Sequence, residues 1–293
     1  MNYYNIARRI TLSNSRPTLK SFIRKGLVFL ALFLGTAITY LEGQDDFPTA
    51  NKPYTISDSD ALRIGQRIWK NECGGTVEGL THWNKGEAFA SMGIGHFIWY
   101  PTGTTGPFQE SFPALISYLG RSGVKIPSWL ADASGCPWPN RDAFLKDFDG
   151  PRLKEIRSLL KSTIPLQARF AAIRLALSFP KLMEATALEN RRIVQHHITI
   201  LYGHPQGLYA MMDYVNFKGE GLDPKERYQN QGWGLFQVLL NMRYSETASE
   251  AVNAFSDSAI QILQRRVSLS DPKRNEKRWL PGWTNRCRSY RVQ

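Results

Sequence analysis

The chain has 293 residues, 42% of them hydrophobic and 21% charged, which fits an ordinary globular protein with an apolar core. The formal net charge of +12 lies at the two ends, because residues 1–43 hold six Lys or Arg and one acid, and residues 264–293 hold nine and two. Residues 44–263 hold 22 of each sign and are neutral. This distribution argues against a nucleic-acid groove in the body of the fold and favours an anionic polymer or a lipid surface met by the tails.

The first 43 residues have the pattern of an export signal. Basic residues precede a 16-residue apolar run at 26–41, which is short for a membrane span and suits the apolar part of a signal peptide. A cleaved signal, an uncleaved inner-membrane anchor and a buried core helix are the alternatives, and the first two place the domain in the periplasm or another extracytoplasmic space. The sequence therefore predicts a signal peptide or membrane anchor at 1–43, a polar linker at 44–56 and a folded domain with a basic C-terminal tail at 57–293.

The domain begins with a predicted helix that runs to about residue 71. Ser57 or Asp58 can cap its start, and apolar residues recur at helical spacing along it. Glu72 follows Ile68 by four residues and Trp69 by three, so it shares the stripe that faces the core.

A small sheet and a series of helices are predicted next. Residues 76–100 are rich in glycine and aromatic residues, which is typical of a β-hairpin or a three-stranded meander. The most apolar segment is 166–179, which we expect to be a central helix with Pro165 in its first turn and Pro180 at its end. The sequence thus predicts a mainly α, α+β domain. Its candidate helices are 111–119, 141–148, 151–163, 165–178, 180–202, 205–216, 232–243 and 245–266.

Glu72 is the candidate catalytic acid. Partial burial of a carboxyl group penalises its charged form and so favours a proton that can be donated to a leaving group. Gly74 and Gly75 follow at once and permit the chain to turn away and a sugar to approach closely. The plain alternative is an exposed glutamate at a helix end, where the helix dipole disfavours an anion.

A resemblance to a known family rests on Glu72, the glycine-rich hairpin and the motif Gly93-Ile94-Gly95-His96. Over residues 60–100 the chain resembles the lysozyme superfamily, nearest to the phage-type lysozymes, and a group of uncharacterised exported bacterial proteins with the same core. The phage-type hairpin ends in Ser or Thr followed by x-Gly-Ile-Gly-His, which places the hydroxyl on Ser91. The resemblance implies a lysozyme-like fold, with a helical lobe around a buried helix, and cleavage of the β-1,4 glycan strand of peptidoglycan with Glu72 as general acid.

The second catalytic group departs from that pattern. Phage-type lysozymes place an Asp about six residues before the hydroxyl, where this chain has Lys85. Glu87 is the nearest acid and is the candidate base that activates water, with Ser91 helping to orient the water, as in an inverting hydrolase. If Glu87 points to solvent, Glu72 must act alone, as in a lytic transglycosylase.

Three further groups of residues complete the predicted site. His96 is expected to be structural, tethering the hairpin to a carboxylate of the helical lobe. Tyr100 is expected to stack on a sugar, with packing in the core as its alternative. Residues 214–221 and 228–237 form a polar cluster that has the character of a glycan cleft or, alternatively, of a capped helix start. Its candidate substrate-binding residues are Asn216, Glu220, Gln231 and Trp233, and Glu220 is also a third candidate for the catalytic partner.

The remaining features leave several functions open. Three cysteines allow one disulfide or three buried thiols. Zinc, phosphate-loop and nucleophile-elbow motifs are absent, so neither a metal nor a cofactor is expected. The expected partner is peptidoglycan, which is anionic through its peptide carboxylates, or a related glycan polymer, with membrane contact through the N-terminal segment. Alternatives are a chitosanase-like glycosidase, a membrane-associated scaffold and a catalytically inactive cell-envelope glycan-binding protein, which Lys85 favours.

Overall fold

The structure is a computed structural model that describes residues 56–292. The predicted signal or anchor at 1–43 and nearly all of the predicted linker lie outside the described residues. No helix between residues 56 and 292 is long and apolar enough to cross a membrane.

The first helix, α1, spans Asp58–Cys73. The Ser57 hydroxyl accepts a hydrogen bond from the backbone N–H of Asp60, which is the predicted N-cap. The helix ends at Gly74, whose φ of 64° is left-handed and favours glycine. It therefore continues two residues beyond its predicted end and carries Glu72 in its last turn.

A three-stranded antiparallel sheet follows α1, as the sequence predicts. Its strands are β1 (Thr81–His82), β2 (Ala90–Met92) and β3 (Phe97–Trp99), in the order β1-β2-β3. Ser91 pairs with His82 on one side and with Ile98 on the other, so these three side chains share one face of the sheet.

The rest of the described chain is helical apart from a two-stranded hairpin, so the prediction of a mainly α, α+β domain is confirmed. The further elements, in chain order, are α2 (Phe112–Arg121), α3 (Ser128–Ala131), α4 (Arg141–Lys146), α5 (Pro151–Ser162), α6 (Ile164–Ala185), α7 (Leu188–Tyr202), α8 (Pro205–Lys218), β4 (Arg227–Tyr228), β5 (Gln231–Gly232), α9 (Leu235–Asn241), α10 (Ala248–Leu269) and α11 (Leu280–Arg288).

Helix α6 packs closely against α1. A Cβ added to Gly65 of α1 would lie 2.6 Å from Cγ2 of Ile164, so the two helices approach each other at a glycine. The predicted end at Pro180 is wrong, because the helix continues to Ala185. Phe179 and Leu182 are fully buried on either side of the proline, and their packing outweighs the lost hydrogen bond.

The basic C-terminal tail folds back as α11 and packs against α10. The sequence predicts that the two tail tryptophans contact the body, and Trp283 does. The ring of Trp283 lies 6.3 Å from that of Phe217, whereas Trp279 is 51% exposed. Helix α11 also brings a basic side chain to Glu72.

Candidate functional site

Glu72 lies at the end of α1 with its side chain only 11% exposed, in agreement with its place on the core-facing stripe. Nη2 of Arg286, on α11, donates a hydrogen bond to Oε1 of Glu72. Nδ1 of His96, between β2 and β3, lies 3.6 Å from Oε2. One carboxylate oxygen is therefore held by the C-terminal helix, and the other faces the sheet.

Arg286 also binds a second, fully buried carboxylate, that of Asp213 on α8. Its Nε and Nη2 donate to the two oxygens of Asp213 at 2.7 and 2.9 Å. The Tyr290 hydroxyl and the Asn71 amide donate to the same oxygens at 2.6 and 3.0 Å. Four donors therefore satisfy this buried carboxylate.

The pKa of Arg286 shows which interaction dominates. Burial alone lowers it, but the carboxylates of Asp213 and Glu72 outweigh burial and raise the pKa above its ordinary value. Arg286 therefore stays charged. With both acids ionised, the group formed by Glu72, Asp213 and Arg286 carries one more carboxylate than cation.

His96 has a φ of 47°, in the left-handed region. Partial burial lowers its pKa, against the attraction of Glu72, so the ring favours its neutral form at pH 7. The carboxylate that faces it is Glu72 itself, and 3.6 Å is too long for a hydrogen bond. His96 is thus close to a carboxylate, but that carboxylate belongs to the candidate acid, and the contact is not a hydrogen bond.

Glu87 lies in the loop between β1 and β2, and Ser91 lies on β2. Oε2 of Glu87 is buried and has no hydrogen-bond partner among residues 56–292, and the charge of Glu87 acts to raise the pKa of His96. Glu87 therefore does not extend freely into solvent. Ser91 is 4% exposed, on the sheet face that it shares with His82.

The expectation that Tyr100 stacks on a sugar is wrong, because its ring is in the core. It is 3% exposed and meets Phe89 edge to face at 5.4 Å, and its hydroxyl accepts a hydrogen bond from the Phe108 N–H at 3.3 Å. Trp83 and Trp99 are buried as well. None of the three presents a free face to a ligand.

The second polar cluster divides into two parts. Asn216 and Glu220 line a cavity of about 260 Å³. The other two cluster residues, Gln231 and Trp233, do not line this cavity, and Glu72 does not line it either. Gln231 is exposed in the β4–β5 hairpin, whose turn residues have φ of 48° and 63°, as a type I′ turn requires.

Trp233 is a structural residue, which corrects its prediction as a sugar-binding one. Its ring is 8% exposed and lies 4.6 Å from that of Tyr228, with the Arg266 guanidinium 4.0 Å away. Directly after it, Gln237 accepts a hydrogen bond from the Gly234 N–H, so the chain here is a capped start of α9.

The three cysteines are free and buried. Burial raises the pKa of Cys73, Cys136 and Cys287 to about 12 in each case, so these thiols are unreactive. Of the two alternatives that the sequence allows, the structure has three buried thiols and not one disulfide. Within residues 56–292, no three His, Cys, Asp or Glu side chains come together as a metal ion would need.

Sequence reasoning missed the Arg286–Asp213 pair. Arg286 is one of nine cations in the tail, and its pairing with Glu72 joins positions 214 residues apart. Asp213 did give a signal, because it stands between Met212 and Tyr214 in an apolar stretch. A lone acid at such a place needs a buried partner.

Comparison of the chain with protein-family models, with curated proteins and with solved structures found no match.

Proposed function

We propose that this chain cleaves the glycan strand of peptidoglycan and that Glu72 gives the proton to the leaving glycosidic oxygen. The observation that carries the proposal is the largely buried Glu72 carboxyl group, with Oε1 held by Arg286 and Oε2 facing the sheet. A helix that ends in this acid, a three-stranded meander and a helical lobe also support the lysozyme-like resemblance. The apolar run at 26–41 supports action outside the cytoplasm.

The charge balance supports Glu72 as a proton donor. Asp213 receives two hydrogen bonds from Arg286 and two from neutral groups. The guanidinium charge is therefore balanced mainly by Asp213. A second ionised carboxylate beside this pair, largely removed from water, is costly unless a proton joins it. Because His96 lies 3.6 Å from Oε2 and favours its neutral form, it adds no positive charge to this group. The free oxygen of Glu72, Oε2, is the one directed toward the sheet.

Glu87 and Ser91 are the groups that we assign to the attacking water. A carboxylate oxygen that is buried without a partner keeps its capacity to accept a hydrogen bond from water. Glu87 lies in the β1–β2 loop, and its charge acts on His96, the residue that lies 3.6 Å from Glu72. Without such a base, the sugar's own hydroxyl attacks and the reaction is a lytic transglycosylation. The same scaffold also suits a chitosan-type polymer.

One observation favours a second function, that of a glycan-binding protein without catalysis. Arg286 already binds Oε1 of Glu72 within the protein, as it would bind a structural carboxylate. Lys85, at the position where phage-type lysozymes carry an acid, agrees with this alternative.

The test is release of soluble fragments from purified peptidoglycan sacculi by the full chain in mild detergent. We expect fragments whose mass shows a reducing end for hydrolysis or a 1,6-anhydro end for transglycosylation. Glu72→Gln should lower release at least about 100-fold. The matched control is Glu78→Gln, an exposed acid six residues further along, which should release fragments at the normal rate. Binding of sacculi without release by the unaltered chain would establish the second function and refute the first.

A further inference from the structure

A cavity lined by unpaired cations lies between α6, α8 and the start of β3. Arg174 and Lys181 come from α6, Asn216 from α8 and Glu220 from the segment after α8, while Phe97 contributes an apolar wall. The volume of about 260 Å³ suits one substituent of a ligand rather than a whole sugar chain. Arg174, Lys181 and Asn216 are exposed, so the cavity opens to solvent.

Arg174 is the feature of this cavity that lacks a structural role. Within residues 56–292 its guanidinium makes no hydrogen bond or ion pair, and the nearest ring, that of Phe97, is 5.8 Å from Cζ. The surrounding protein lowers the pKa of Arg174, with the charge of Glu220 opposing the shift, although the side chain stays exposed to solvent. A guanidinium without hydrogen-bond partners in the protein keeps all its donors for an incoming anion.

The charges of the lining indicate the class of ligand. Two cations and one carboxylate leave an excess of one positive charge, which a single carboxylate would balance. The guanidinium fork fits a carboxylate with two parallel hydrogen bonds, and the Asn216 amide can donate another. A cationic amino sugar in the cavity would instead be repelled by the like charges of Arg174 and Lys181.

The cavity lies next to the Glu72 site along two elements. Phe97 follows His96 in the chain, and His96 faces Glu72. Asn216 follows Asp213 by three residues on α8, which is about one helical turn, and Asp213 shares Arg286 with Glu72. A ligand that extends from Glu72 along these two elements would place a neighbouring substituent in the cavity.

The geometry points to a carboxylate subsite: Arg174 and Lys181 bind the acidic group of a peptide substituent on the glycan strand that Glu72 acts on. This assignment rests on the proposed function and restricts it to acidic, peptide-bearing glycans. Neutral chitin fragments gain nothing from the cavity, and chitosan is repelled by it. Glu220 limits the site to one negative charge by balancing one of the two cations.

The experiment measures binding, so it does not depend on catalysis. The full chain carrying Glu72→Gln is titrated by calorimetry with a soluble disaccharide-peptide from peptidoglycan and with a neutral N-acetylglucosamine tetramer. We expect Arg174→Gln to weaken binding of the acidic fragment about 10- to 100-fold and to leave the neutral tetramer unaffected. Arg174→Lys should retain part of the affinity, because it keeps the charge without the fork. Arg192→Gln, an exposed arginine on α7, is the matched control.

The outcomes separate this inference from the proposed function. Unchanged affinity of Arg174→Gln for the acidic fragment, equal losses for both ligands, or no binding of the acidic fragment at all would each overturn the carboxylate subsite. If sacculi are not cleaved but Arg174 still governs acidic binding, the subsite stands and the proposed catalysis fails.

Discussion

Arg286 donates a hydrogen bond to Glu72 across 214 positions of the sequence, and the same guanidinium donates two more to Asp213. Helix α11 makes this connection, so the basic C-terminal tail is part of the candidate site. The arrangement links the packing of α11 to the charge around Glu72. A change in the packing of α11 should therefore alter the charge around Glu72, and a change in that charge should alter the packing of α11.

Removal of the Arg286 charge should destabilise the protein strongly. Arg286→Gln leaves the fully buried Asp213 without its cation, and breaking a buried pair in this way costs about 3–5 kcal/mol. The free energy of unfolding from urea titration measures this cost. Arg288→Gln removes an exposed arginine from the same helix and should change stability by less than about 0.5 kcal/mol.

Neutralising Asp213 as well should return part of that loss. In the double variant, Arg286→Gln with Asp213→Asn, no buried charge is left unpaired, so its destabilisation should be smaller than the sum of the two single effects. The expected coupling is about 1–3 kcal/mol. Additive losses would show that Asp213 does not depend on Arg286 for its charge.

Local sequence information was enough for the parts of the fold near Glu72. The apolar spacing of Ile68 and Trp69 and the cap at Ser57 predicted α1, and the glycine-rich segment predicted the sheet. The low exposure of Glu72 also agreed with its place on the apolar stripe of the same helix. The partner of Glu72 did not follow, since it is set by how α11 packs against α10 and α8.

Aromatic residues were predicted poorly for a related reason. Composition shows that Tyr100 and Trp233 have both an apolar ring and a polar group, which suits a sugar-binding surface and a core equally well. Their neighbours decide between the two. Phe89 packs against Tyr100, and Tyr228 packs against Trp233, so both rings are used within the fold.

Glu87→Gln distinguishes the two cleavage mechanisms. If Glu87 activates water, the substitution should lower release of fragments from sacculi by about 10²- to 10⁴-fold. Stability should not fall, because Oε2 makes no hydrogen bond within the described residues. Mass analysis of the residual products and a urea titration measure the two effects.

The control for Glu87 is Lys85→Gln, an exposed neighbour in the same loop. It should leave release unchanged, which would show that Lys85 has no catalytic part. Full activity of Glu87→Gln, with 1,6-anhydro products, would exclude Glu87 as a base and establish transglycosylation by Glu72 alone.

The position of the sheet relative to Glu72 depends on Gly79. A Cβ added there would overlap the carbonyl oxygen of Cys73, at the end of α1. Since backbone cannot yield as a side chain can, Gly79→Ala should cost about 3 kcal/mol. It should also lower activity about 100-fold by moving the sheet away from Glu72.

Gly123 provides the matched glycine control. Its φ of +84° strains an alanine by about 1 kcal/mol, but no atom lies within 4 Å of the added Cβ, and the residue is remote from the site in the loop after α2. Gly123→Ala should therefore lose stability slightly and keep full activity. Similar activity losses in both variants would show that general destabilisation, rather than displacement of the sheet, is responsible.

Stability should decrease in mild acid because of His197. This side chain is fully buried, its Nδ1 donates to the Leu239 carbonyl at 3.0 Å, and its Nε2 has no partner within the described residues. Burial lowers its pKa, so below about pH 6.5 the unfolded chain binds a proton that the folded chain does not yet bind. The free energy of unfolding is therefore at its full value above pH 6.5 and falls as the pH decreases toward the folded pKa.

The His197 contribution can be isolated from the pH dependence of urea unfolding between pH 8 and pH 5. His197→Asn keeps a donor for Leu239 and loses the titrating ring, so it should lower stability at pH 8 and flatten the decrease toward pH 5. The slope removed should not exceed about 1.4 kcal/mol per pH unit, the limit for one proton. A residual slope from His96, whose pKa is also lowered, should remain. An unchanged slope in His197→Asn would refute the assignment to His197.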